Sequence, residues 1–89
     1  MITIKNTELF KNIEFLNNGL LIKGSIIEND KGEFIRSNGN ITNEDGDTQY
    51  GTFYIEEGVS LSIKDTVGVE LLPKISEIFT AYYTELLNT

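Results

Sequence analysis

Four turn signals cut the first two thirds of the chain into short pieces, and their spacing limits the fold more than any other feature. They read NNG at 17–19, NDKG at 29–32, NEDGD at 43–47 and EEG at 56–58. Tight hairpins need positive φ, which Gly adopts freely and Asn and Asp tolerate. The stretches between the signals are rich in Ile, Phe, Tyr and Thr, residues that suit a pleated surface. A parallel pair would need a crossover of a dozen or more residues, which these links do not provide. The expectation is an antiparallel β-meander of about five strands within residues 2–64, curled into a half-barrel or small sandwich.

Alternation supports this reading. In GVSLSIKD, Val59, Leu61 and Ile63 point one way and Ser60, Ser62 and Lys64 the other. In TQYGTFYIEE, Gly51, Phe53 and Ile55 oppose Tyr50, Thr52 and Tyr54, so both faces carry apolar side chains. LLIKGSIIEND reads as a longer strand with Gly24 as a bulge or a point of close approach. EFIRSNGNIT pairs with it across the Asp30–Lys31–Gly32 turn, with Asn38–Gly39 as a kink rather than a separate hairpin turn. Residues 6–16 suit either a short helix capped by Thr7 or a strand over 12–16 entering the Asn18–Gly19 turn. The strand is preferred, because Asn-Gly between apolar runs is the strongest local hairpin signal.

The period changes in VELLPKISEIFTAYYTELLNT. Leu71, Leu72, Ile75, Ile78, Phe79, Tyr82, Tyr83, Leu86 and Leu87 recur at helical spacing. Pro73 falls in the first turn, where its missing N–H leaves no bond unmade. A helix over about 70–87 follows, and residues 1–89 form a single α+β domain with this helix closing the sheet. Its large apolar side chains cover about 180° of the helical wheel, whereas packing on one sheet needs a stripe of about 100°. The surplus edge is Leu72, Tyr83 and Leu87, and it is the candidate partner contact.

Several chemistries are missing from the residue inventory. Without His or Cys, the chain lacks the commonest general base, the commonest transition-metal ligand and any thiolate. No nucleophile elbow, Walker loop or G-x-G-x-x-G occurs. Ser62 and Lys64 share a strand face at i, i+2, but no oxyanion-hole motif accompanies them. Glu56 and Glu57 are adjacent on the chain and would point to opposite faces of a strand. No enzymatic role and no cofactor are expected.

Fourteen acids against seven bases give a net charge of −7. The seven bases are scattered, so no phosphate-neutralising groove forms, and Tyr50, Phe53 and Tyr54 read as core and cross-strand rings rather than a stacking platform. Glu44, Asp45 and Asp47 surround Gly46. A calcium loop of the helix–loop–helix type counted from Asn43 or Asp45 would need its bidentate Glu at Tyr54 or Glu56, inside or at the end of a strand, so NEDGD reads as a turn. The longest uninterrupted apolar run, Leu20 to Ile22, cannot span a membrane, and the first residues lack the pattern of a signal peptide. The expected location is cytoplasmic, or inside a larger particle such as a virion. Twelve Ile and nine Asn hint at an AT-rich bacterial or phage genome.

The expected function is therefore a non-catalytic structural or assembly protein, such as a small phage-particle component, acting through contacts with itself or another protein. A homo-oligomer or a place in a larger assembly is expected. The alternative is a small acidic inhibitor or immunity-type protein that masks a basic site through Glu44, Asp45, Asp47, Glu56 and Glu57.

Overall fold

The structure is a computed structural model that describes residues 9–88. Five strands form one antiparallel sheet in the order β1-β2-β3-β4-β5, each beside its neighbour in sequence. They are β1 (Leu9–Asn17), β2 (Leu20–Glu28), β3 (Phe34–Asn43), β4 (Gln49–Ile55) and β5 (Val59–Ile63), followed by helix α1 (Leu72–Leu87). The meander and the C-terminal helix are as expected, and the single sheet is not closed into a barrel. Thr7 and the rest of 1–8 lie outside the described residues, as does any strand expected there.

The turns follow their local chemistry. Asn18 and Gly19 both have positive φ, 52° and 78°, as a two-residue type I′ hairpin requires. NDKGE and NEDGD build similar loops from the same residue types. In each, Gly32 or Gly46 sits at φ 80° and its N–H donates to the carbonyl of Asn29 or Asn43. The side-chain oxygen of each Asn also receives two backbone N–H groups. Asn29 Oδ1 accepts from Lys31 and Glu33, and Asn43 Oδ1 from Asp47 and Thr48.

Gly24 is a point of close approach and not a bulge. It pairs with Gly39 in register, and a Cβ added to Gly24 would lie 2.7 Å from Gly39 Cα. The register shifts occur elsewhere, at Ile27/Glu28 and Ile41/Thr42. Asn38–Gly39 remains inside β3, so the two strands run continuously past a pair of glycines that lets their backbones crowd together.

The core lies between one sheet face and α1. Leu20, Ile22, Ile41, Phe53 and Ile55 meet Ile75, Ile78, Phe79 and Tyr82. Ile22, Ile41, Ile75 and Ile78 have no exposed surface, and each contributes roughly 1.5–3 kcal/mol by burial. Tyr82 is the centre of an aromatic group, with ring centroids 5.8 Å from Phe15 and 5.4 Å from Phe53. The helix begins two residues later than expected. Val69 to Leu71 form a turn, with Leu71 N–H bonded to Gly68 O and Leu72 N–H to Val69 O. The Asn18 side chain anchors the hairpin tip to the helix through a 2.6 Å bond to Glu77.

Candidate protein-contact margin

The helix does not cover the whole sheet. Its backbone approaches β2 and β1 most closely, which leaves the β5 side of the same face thinly covered. Leu61 pairs with buried Phe53 and Val59 with buried Ile55, so all four side chains share the helix-facing side. Leu61 is nevertheless 37 % exposed and Val59 48 %. Two apolar residues on the core face are left at its border.

The surplus edge of the helix adds to this border at a second point. Leu72 is 39 % exposed and Leu87 69 %, while Tyr83 is half-buried. Tyr83 lies parallel to Phe79 one turn earlier, with centroids 6.4 Å apart. Tyr83, Leu86 and Leu87 line a groove of about 310 Å³ together with Phe34, Ile55 and Glu56. Ile55 is paired with Val59, so this groove opens beside the start of β5. Of the three helix residues singled out from the sequence, Tyr83 and Leu87 line this groove, Tyr83 also packing on the core, and Leu72 is exposed at the start of the helix.

Among the described residues, no strand pairs with the outer side of β5. Lys64 N–H donates to Tyr50 O at 2.9 Å, and Glu56 N–H donates to Gly58 O at 3.1 Å. With the register Gly51↔Ile63 to Ile55↔Val59, these bonds direct residues 58, 60, 62 and 64 toward β4. The N–H and C=O groups of Val59, Leu61 and Ile63 point away from the sheet. No charged residue lies within VSLSI. Charges are a common protection of sheet edges, and β1 has Lys11 and Glu14, paired with Glu28 and Lys23 on β2 at 2.6 and 4.0 Å. No family model, curated protein or solved structure matches the chain. The margin must be read from its own chemistry.

The acidic residues occupy two separate places. Glu44, Asp45 and Asp47 lie in the β3–β4 loop, and Glu56 and Glu57 in the β4–β5 turn. These loops are at opposite ends of β4, roughly 20 Å apart at the rise of a strand. The fold does not gather the five carboxylates into one face. Asp47 also accepts a 2.6 Å bond from the Asn43 amide within its own loop. No group of three or more acids suited to a metal occurs among the described residues.

The remaining sequence candidates are also separated. Phe53 is core, Tyr50 packs against the core, and Tyr54 is exposed on the opposite sheet face, so the three rings make no common platform. Ser62 and Lys64 are exposed at the end of the edge strand. No helix among the described residues is long and apolar enough to cross a membrane.

A different feature escaped the sequence reading. Asn12, Glu14, Lys23, Ser25, Asn38 and Asn40 surround an open polar groove of about 670 Å³ over the Gly24–Gly39 pair. Ser25 donates to Asn38 Oδ1 at 3.0 Å within it. The alternation of polar residues on β1 to β3 could have indicated this face, but the depression depends on the close approach of two glycines on different strands.

Proposed function

We propose that this chain is a non-catalytic assembly protein that works through protein–protein contact at the β5–α1 margin. The observation that carries this reading is an uncharged strand edge, paired by no described strand, together with Val59 and Leu61 left exposed on the core face. An unpaired edge recruits a strand through backbone bonds, and adjacent apolar side chains add specificity and burial. Leu72 and Leu87 extend the apolar margin along the helix. The setting would be a larger complex, of which a phage particle is the example suggested by residue usage.

The inhibitor reading is weaker because its five acids are divided between opposite ends of β4. A masking surface for one basic site would need them on one side of the molecule.

Native mass across a concentration series, measured by light scattering after size exclusion, tests the proposal. A discrete oligomer that Leu87→Glu dissociates while leaving the far-UV circular dichroism unchanged is the expected result. A monomer at every concentration, indifferent to Leu87→Glu, would overturn it as a reading of self-assembly and put the inhibitor alternative first.

A further inference from the structure

We infer that the occupant of the β5 edge is a second copy of this chain, paired antiparallel about a two-fold axis at Leu61. This rests on the assembly reading above and adds the partner and the register. The sequence of β5 is a palindrome in polarity: Val59, Ser60, Leu61, Ser62, Ile63. Antiparallel pairing centred on Leu61 sets Leu61 opposite the second copy's Leu61, Val59 opposite Ile63, and Ser60 opposite Ser62. Apolar side chains meet apolar ones on the helix side, and hydroxyls meet hydroxyls on the other.

The backbone selects the same centre. The outward groups belong to Val59, Leu61 and Ile63. Only an axis at Leu61 places all three in hydrogen-bonded pairs, so that each gives one bond and receives one. The same register sets Lys64 of each copy opposite Gly58 and Asp65 opposite Glu57 of the other, so the ends of the seam hold both signs of charge and neither drive nor forbid the pairing. An isologous two-fold contact of this kind closes at two copies and does not propagate into a fibre through that edge.

Net charge opposes the association, since each copy carries −7. The seam itself is uncharged apart from its ends, so the repulsion is long-range and screened by salt. Dimerisation is therefore expected to strengthen as ionic strength rises from 50 to 500 mM, over which the Debye length falls from about 14 Å to about 4 Å. Binding of a basic partner would show the reverse.

The absence of native cysteine makes a direct test possible. Non-hydrogen-bonded antiparallel pairs hold Cα atoms about 4.5 Å apart with their side chains closer, as a disulfide requires, and in this register Ser60 of one copy faces Ser62 of the other in such a pair. A mixture of Ser60→Cys and Ser62→Cys chains is expected to form a disulfide-linked dimer under mild oxidation. Ser60→Cys alone and Ser62→Cys alone are not, because each thiol would face a serine. Leu61→Pro removes an outward N–H and leaves the ladder to β4 intact, so it should weaken the dimer roughly tenfold or more. Far-UV circular dichroism establishes that each variant is folded. If the mixed Ser60→Cys and Ser62→Cys chains link no faster than a thiol at exposed Val69, the two-fold pairing is wrong. An oligomer that Leu87→Glu dissociates, without the 60–62 link, overturns the β5 pairing and leaves the assembly reading standing. A monomer under all conditions overturns both.

Discussion

The hydroxyl of Tyr82 donates to Ser37 Oγ across the sheet–helix interface at 2.8 Å, with both residues buried. The direction follows from counting protons. Ser37 has one hydroxyl hydrogen and gives it to the Ser25 carbonyl at 2.8 Å, so it can only accept from Tyr82. This chain of two bonds links α1 to β3 and β2 inside an otherwise apolar core.

The two ends of that bond should respond differently to removal. Tyr82→Phe deletes the donor and leaves Ser37 bonded to Ser25, so it should cost about 1 kcal/mol. Ser37→Ala leaves the Tyr82 hydroxyl buried without a partner and should cost more, about 2–3 kcal/mol. Urea denaturation of the two variants and the double variant measures the coupling. Equal costs for the two single changes would contradict the assigned direction.

Burial pushes the Tyr82 phenol above its usual value of 10.0. A raised folded-state value means that the folded form holds its proton where the unfolded form has lost it. The corresponding stability is fully present below about pH 10 and is lost as pH rises through the folded value. Native protein should lose more stability than Tyr82→Phe between pH 9 and about pH 11. Urea midpoints at several pH values check this, and parallel curves would refute it.

Gly24 and Gly39 should resist substitution for a steric reason. A Cβ on Gly24 meets the Asn38 carbonyl and Gly39 Cα, and a Cβ on Gly39 meets the Lys23 carbonyl at 2.6 Å. All are backbone atoms in adjacent strands. Gly24→Ala should therefore destabilise by about 3 kcal/mol or more. Gly58→Ala meets nothing within 4 Å and should change stability by less than about 1 kcal/mol. Thermal melts of the two variants give the comparison.

The NEDGD loop is held by Asn43 rather than by an ion. Asn43→Ala should cost about 1–2 kcal/mol, because two backbone N–H groups lose their acceptor. Millimolar calcium should leave the melting temperature of native protein unchanged. A calcium-dependent rise that Asp45→Asn abolishes would establish a cation site at 44–47.

Much of the fold was legible because its causes are local. Asn18–Gly19, Gly32 and Gly46 specify turns through their own φ preferences, and the change to helical period marks α1. The candidate margin was legible only in part. Leu72, Tyr83 and Leu87 follow from the width of the apolar stripe, and Leu72 and Leu87 are indeed exposed. Val59 and Leu61 looked like ordinary core residues, since alternation says which side they share but not how much of that side is covered.

The sequence by itself determined the turns, the meander order and the helix, because short turns and side-chain periodicity act within a few residues. It did not determine the full extent of β1, expected over 12–16 and found over Leu9–Asn17. Tertiary structure decided where α1 rests. The contacts of Tyr82 with Phe15, Phe53 and Ser37 fix the helix across β1, β3 and β4 with its backbone nearest β2, and β5 is left with a partly apolar edge that no described strand pairs. The fit of those side chains depends on contacts between residues tens of positions apart. Periodicity along one segment carries no information about such contacts.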